Sequence, residues 1–297
     1  MRRSEFIRGL ALASATACSA GTVCVVAAFG AFVAFAAGAD ISVEAPFDPK
    51  GGHVQGLCEG EGHYYLSQAT RLFKLDHTGR CVKSVDVLSH TGDLCFHDGF
   101  VYASVAAYRG PHRGLGLIQV YDKELKLVRE KVYPRGMDGI AYLNGKLYVG
   151  YGCHRETVPH EPGVEPQSKT PHLDNDMAIV DAETLELEKV VAYTHGYPTH
   201  YGAQNIATDG RLLYVTFYPA GKGGPDLVAY DTALKPVAQY CAKASNGLIP
   251  RGQADGLPSF LKCETLKAKD GVGAVLKPAI VQRLNNRTTK QSNNSPK

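Results

Sequence analysis

"HTGDLCFHDGFVYASV", residues 90–105, reads as two short strands folded on Asp98-Gly99. An Asp-Gly pair between alternating apolar runs is a strong hairpin signal, because both residues accept the positive φ of a type I′ turn. The phrase recurs. "QGLCEGEGHYYLS" starts at Gln55, "GDLCFHDGFVYAS" at Gly92, "DGIAYLNGKLYVG" at Asp138 and "QNIATDGRLLYVT" at Gln204. Each copy has an aliphatic residue in third place: Leu57, Leu94, Ile140 and Ile206. Each turns at a glycine four or five residues on: Gly62, Gly99, Gly145 and Gly210. Each has a tyrosine eight residues after the aliphatic: Tyr65, Tyr102, Tyr148 and Tyr214.

A second hairpin follows every copy: "LFKLDHTGRCVKSV", "LIQVYDKELKLVREKV", "MAIVDAETLELEKVV" and "LVAYDTALKPVAQY". In each, an apolar strand ends on an aspartate: Asp76, Asp122, Asp181 and Asp231. Aspartate heading a turn accepts hydrogen bonds from the next backbone N–H groups, so these four are read as structural. Four strands per unit, repeating at intervals of 37, 46 and 66 residues, predict an all-β fold: a β-propeller of four-stranded antiparallel blades. Residues 40–284 divided by roughly 45 per blade give five blades. A degraded fifth unit is aligned from "ADGLPSFLKCETL", and the alternating "ISVEAPF" is expected to close the ring by completing the last blade.

Leu147-Tyr148-Val149 and Leu213-Tyr214-Val215, each followed by its turn aspartate, resemble the YVTN/NHL-type bacterial propellers over residues 53–243. More faintly, Gln55-Gly56-Leu57 and Gly92-Asp93-Leu94 resemble the blade openings of the five-bladed glutaminyl cyclases. That resemblance implies a site built with a glutamate and tryptophans. Here Asp93 stands at the acidic place and the chain has no tryptophan.

Repeat logic places the polar residues. The loops that lead into each innermost strand lie on the same face as the loops joining the second strand to the third. That face collects His53 and Gln55, His90 and Asp93, Asp138, and His200, Tyr201 and Gln204, with Arg251, Gln253 and Asp255 as a fifth set. Arg109, His112, Arg113, Tyr218 and Lys222 join them from the neighbouring loops. Imidazoles and carboxylates at equivalent axial places suit a small polar or sugar-like ligand. They equally suit a divalent metal, or acid–base chemistry by His90, Asp93, Asp138 and His200 in a hydrolase, lactonase, lyase or cyclotransferase. The plainer reading is that such residues lock neighbouring blades by hydrogen bonds. The insertion from Cys153 to Asp174, with His154, His160 and His172, has no equivalent in the other units and is read as a solvated loop or lid.

Composition narrows the classes. The formal charge is +3, yet the basic surplus sits in the first residues and in the tail after Lys262, leaving a mildly acidic body. Such a body is a poor nucleic-acid binder. No G-x-S-x-G nucleophile motif occurs, and "AGKGGP" at 220–225 is not a phosphate loop, because its lysine precedes the glycine pair. Residues 1–39 read as an export address: Arg2-Arg3 and Arg8 precede an uncharged run that ends at Ala37-Gly38-Ala39. It is either cleaved there, giving a periplasmic or secreted protein, or retained as a membrane anchor, since the run exceeds the about 20 residues that span a bilayer. No other segment suggests a membrane contact. With no C-x-x-C spacing, Cys58, Cys81, Cys95, Cys153, Cys241 and Cys263 stay open between free thiols and disulfides. Residues 285–297 lack apolar side chains and are expected to be disordered.

Overall fold

The computed structural model of the chain describes residues 38–88, 90–108, 110–151, 172–219, 225–243, 246–268 and 271–284. The export segment, Arg109, His154, His160, Lys222, Cys153 and the tail lie outside the described residues. Among the described residues every regular element is a strand, and all strand pairs are antiparallel.

Each repeat folds into its own sheet. The first runs β2 (Val54–Gly60), β3 (His63–Gln68), β4 (Arg71–Leu75), β5 (Cys81–Asp86); the second runs β6 (Thr91–His97), β7 (Phe100–Ala106), β8 (Gly116–Asp122), β9 (Leu127–Tyr133). The third begins with β10 (Met137–Leu143), β11 (Lys146–Tyr151) and β12 (His172–Asp181). Its outer strand is the first half of the long β13 (Leu187–Thr208). The second half of β13 becomes the inner strand of the next sheet, with β14 (Leu213–Pro219), β15 (Leu227–Tyr230) and β16 (Pro236–Cys241). The last sheet runs β17 (Leu248–Ala254), β18 (Leu257–Ala268), β19 (Gly271–Ile280) and, outermost, β1 (Ile41–Val43). The expected closure by "ISVEAPF" is therefore seen, with Ile41 opposite Leu276. The chain beyond β19 doubles back, and β20 (Gln282–Arg283) covers the edge of β16.

Innermost strands β2, β6, β10, β13 and β17 contact one another in turn, and β17 returns to β2. The fold is a β-propeller. Its core lies in the layers between sheets: Tyr65, Leu72, Leu94, Val101, Tyr121 and Leu125 pack together between the first two. The repeat tyrosines Tyr65, Tyr102, Tyr148 and Tyr214 are all buried there.

The turn chemistry holds in detail. Glu61-Gly62, Asp98-Gly99 and Asn144-Gly145 have positive φ at both residues, as a type I′ turn requires. The Asp209-Gly210 turn differs, since only Gly210 is left-handed and Asp209 Oδ1 instead accepts from the N–H groups of Arg211 and Leu212. At the second hairpins, Asp76, Asp122, Asp181 and Asp231 each accept two backbone N–H groups through one carboxylate oxygen. Three of these turns place a buried leucine at positive φ: Leu125, Leu185 and Leu234. The aspartate bonds and the burial together offset a conformation that costs an L-residue about 1–2 kcal/mol.

One alignment is corrected. The last unit does not start at "ADG": its inner strand is Leu248–Ala254, and Asp255-Gly256 is its hairpin turn, with φ of 52° and 75°. Asn246 and Gly247 hold the leading places, and Arg251, Gln253 and Asp255 run toward the turn end. The unit was obscured because Leu261 occupies the tyrosine place and a bulge between Pro250 and Gly252 lengthens the strand.

Replacing Asp231 with alanine should lower the free energy of unfolding by about 1 kcal/mol, the usual worth of such turn bonds, while Leu234 stays strained. Urea unfolding followed by circular dichroism checks this; an unchanged midpoint would mean the turn holds itself.

Candidate functional site at the approach face

The inner strands come close enough at the axis that side chains are rationed. In second place of the repeats stand Gly56, Asp93, Gly139, Asn205 and Gly247. A Cβ on Gly56 would sit 2.5 Å from Asp93 Cα, so only glycine fits there. Asp93 and Asn205 fill the space that the glycines leave. Asp93 Oδ2 accepts the N–H of Ile140 at 3.2 Å and of Ile206 at 2.8 Å, and the Asn205 carboxamide also bonds this carboxyl. Asn205 Nδ2 donates to the Gln55 carbonyl at 2.6 Å, and its Oδ1 accepts from Gly247 N at 2.9 Å. Two side chains thus tie together all the inner strands. Hydroxyls add to the lock: Ser104 Oγ accepts Asp93 N at 3.1 Å and donates to the Asp138 carbonyl, while Thr216 Oγ1 accepts Asn205 N at 3.0 Å. Asp93 is a buried blade-locking residue, as the plainer sequence reading had it. Burial outweighs its hydrogen bonds and pushes its carboxyl up to about 8.

Above this plug, on the face where the chain approaches the inner strands, four of the expected residues converge. Gln55 Nε2 lies 2.9 Å from His90 Nε2. With the amide oriented to donate, His90 Nε2 accepts and the ring proton sits on Nδ1. That Nδ1 faces Asp138 Oδ1 across 3.8 Å, and among the described residues neither atom has a hydrogen-bond partner although both are shut off from solvent. Tyr108 packs on the His90 ring at 4.9 Å. His53 completes the group; crowding by its surroundings, and then His90, hold its pKa below the ordinary value. Burial lowers His90 to about 4 and raises Asp138 to about 7. Desolvation therefore wins over mutual attraction, and at neutral pH the pair is an uncharged imidazole facing a carboxyl near its titration point.

His200 and Gln204 do not join that group. His200 pairs across the strands with Tyr218 and lies beside the Tyr201 ring, and among the described residues Gln204 reaches the carbonyls of Tyr201 and Gly202, at 3.4 and 3.5 Å. Arg109 lies outside the described residues. Arg251 is displaced to the turn face, where it pairs with Glu59. On the third-sheet side, Arg135 pairs with Asp176 at 2.6 Å and lies 3.9 Å over the Tyr151 ring. Sequence reasoning missed this pair, and it missed Asn205, whose signal was its shared place with Asp93. Among the described residues no three His, Cys, Asp or Glu side chains converge to hold a metal ion. Among the described residues Cys58, Cys81, Cys95 and Cys263 are free thiols. Cys58 and Cys95, though equivalent in the repeats, pack into different inter-sheet layers.

The sequence matches no protein-family model and no curated protein. Solved structures share the fold. Myxococcus xanthus glutaminyl cyclase superposes with a TM-score of 0.51 at 13% identity, over 83% of this chain and 97% of that one. A GH43_1 enzyme from Xanthomonas citri gives 0.50 at 12% identity, over 80% and 91%. At such identities the likeness is one of fold.

The buried carboxyls make a pH prediction. Asp93 and Asp138 titrate higher in the folded chain than unfolded, so their contribution is full in acid and is lost as pH rises, through about 7 for Asp138 and about 8 for Asp93. His90, lowered to about 4, acts oppositely, but only below the ordinary imidazole value. Between about pH 6.5 and 8 stability should therefore fall, and Asp93→Asn should flatten that slope. Urea unfolding at closely spaced pH values is the measurement; a slope that Asp93→Asn leaves unchanged would mean Asp93 is held ionised.

Proposed function

We propose that the protein is an exported five-bladed propeller that binds a small, neutral, hydroxyl-bearing ligand, sugar-like in its polarity, at the approach face. One observation carries this reading: His90 Nδ1 and Asp138 Oδ1 are buried, 3.8 Å apart and without a hydrogen-bond partner among the described residues. Leaving a buried polar atom unpaired costs about 1–3 kcal/mol. A ligand hydroxyl that accepts from Nδ1–H and donates to the carboxyl satisfies both atoms at once. The ligand is neutral because burial already penalises charge on either group. Gln55 orients His90 through its 2.9 Å contact, and Tyr108 packs on the His90 ring.

The same pair supports a second reading, catalysis by proton transfer. A carboxyl raised to about 7 beside a neutral imidazole is suited to exchanging a proton with a hydroxyl or amide, the step a hydrolase, lactonase, lyase or cyclotransferase needs. The glutaminyl cyclase named above makes an N-terminal glutaminyl peptide a sensible substrate to try. A metal-assisted version needs a donor beyond those described.

His90→Ala and Asp138→Asn should each weaken binding at least tenfold in a calorimetric screen of mono- and oligosaccharides. The thermal midpoint of Asp138→Asn should stay near that of the parent, because no hydrogen bond of the Asp138 side chain is lost, whereas His90→Ala also gives up the Gln55 contact and should melt somewhat lower without unfolding. If both variants unfold, the residues are structural and the ligand site is lost with them. Turnover of a glutaminyl peptide that disappears in Asp138→Asn favours the enzyme. For export, N-terminal sequencing of the mature protein should begin near Asp40; a chain beginning at Met1 in the membrane fraction favours an anchor.

A further inference from the structure

The other end of the axis, on the turn face, holds a separate cavity of about 140 Å³. Its walls are the third- and fourth-place side chains of the inner strands, chiefly Leu57, Leu94, Ile206 and Leu248 with Cys58 and Cys95. Its rim carries Phe96, Tyr142, Glu59 and Thr208. The Asp93–Asn205 plug occupies the next level of the same strands and separates this space from the polar mouth.

The chemistry of the lining is selective. Burial raises both thiols well above their ordinary pKa, so they present neutral, polarisable sulfur. The Glu59 charge is already answered by Arg251, with His77 Nδ1 a further 4.0 Å away. Nothing in the cavity asks for a charged guest. Both rim aromatics are held in place by contacts outside the cavity. The Phe96 ring lies against Gly60, where a Cβ would come within 2.1 Å of it, and stacks on Tyr65 at 5.6 Å. Tyr142 stacks on His97 at 3.4 Å and 10°. An aliphatic-lined protein cavity of about 150 Å³ stays dry and takes up benzene.

We infer that the turn-face end of the channel is a second ligand site, taking a neutral single-ring aromatic molecule with at most one hydroxyl. The ring fills the aliphatic walls between Phe96 and Tyr142, and a hydroxyl reaches Thr208 at the rim. This site is independent of the polar mouth, because the plug stands between them.

The test is titration of the full chain with benzene and with phenol. NMR contacts are then sought from the ligand ring protons to the methyl groups of Ile206 and Leu248, which locates the guest without any variant. Saturable binding with those contacts is expected for both ligands. Thr208→Phe, which fills the rim, should weaken binding at least tenfold, and Asp138→Asn should leave it unchanged. Absence of saturable binding, or contacts to other methyls only, overturns the inference. So does binding that Asp138→Asn abolishes, since the ligand would then sit at the polar mouth. Failure of sugars to bind there would not bear on this end of the channel.

Discussion

The hydrogen bonds of Asp93 and Asn205 across the axis hold the ring together. Closing a propeller on a small number of sheets brings the inner strands so close that a side chain at every second place would collide. The sequence answers with glycine at Gly56, Gly139 and Gly247, and lets two polar side chains serve all the strands. Asp93 takes N–H groups from the third and fourth sheets. Asn205 takes one from the last sheet and gives one to the first. Backbone groups at the axis cannot pair with a neighbouring strand as they do within a sheet, so side chains must satisfy them. A carboxyl that accepts twice through one oxygen and a carboxamide that pairs at both ends are short groups that do so.

Much of this was legible where a local backbone geometry demands particular residues. Positive φ asks for Glu-Gly, Asp-Gly or Asn-Gly, and the turn aspartates are fixed by the N–H groups they cap, so the repeat could be read from Gly62, Gly99, Gly145 and Gly210 and from Asp76 to Asp231. The alternation of Ile41-Ser42-Val43 announced a strand. What escaped depends on tertiary context. The last unit kept its Asp255-Gly256 turn, but its packing substitutes Leu261 for tyrosine and Cys263 for the usual hydroxyl. The "HGYPTH" stretch of β13 carries a glycine and a proline, yet it runs on as strand because β12 and β14 both pair with its ends. A pairing as short as Gln282–Arg283 on β16 leaves no pattern to read.

The candidate site divided along the same line. Repeat equivalence set His53, Gln55, His90 and Asp138 on one face, because position along an inner strand fixes height on the axis. It could not tell first place from second in function. First place faces the mouth, and second place faces the neighbouring backbone, which is why Asp138 Oδ1 has no hydrogen-bond partner among the described residues while Asp93 is saturated. Nor could it separate His200 and Gln204 from the cluster: the left-handed Tyr201 and the Tyr201-Gly202 carbonyls that hold Gln204 belong to a local bulge invisible in the pattern.

The plug also sets the electrostatics of what lies on either side. A carboxyl buried this deeply is cheapest when protonated, and Asp138, one sheet over and one level up, feels the same lack of water. Charge entering the mouth would have to ionise Asp138 or be buried without a counter-ion, whereas a hydroxyl needs neither. Toward the turn face the strands present only the residues that follow the plug, aliphatic in third place and thiol, alanine or isoleucine in fourth, because these same side chains also fill the layers between sheets. The channel is polar at one end and apolar at the other for one reason: each inner strand turns its polar leading residues to the mouth and its following residues to the core, and Asp93 with Asn205 marks the height at which the change occurs.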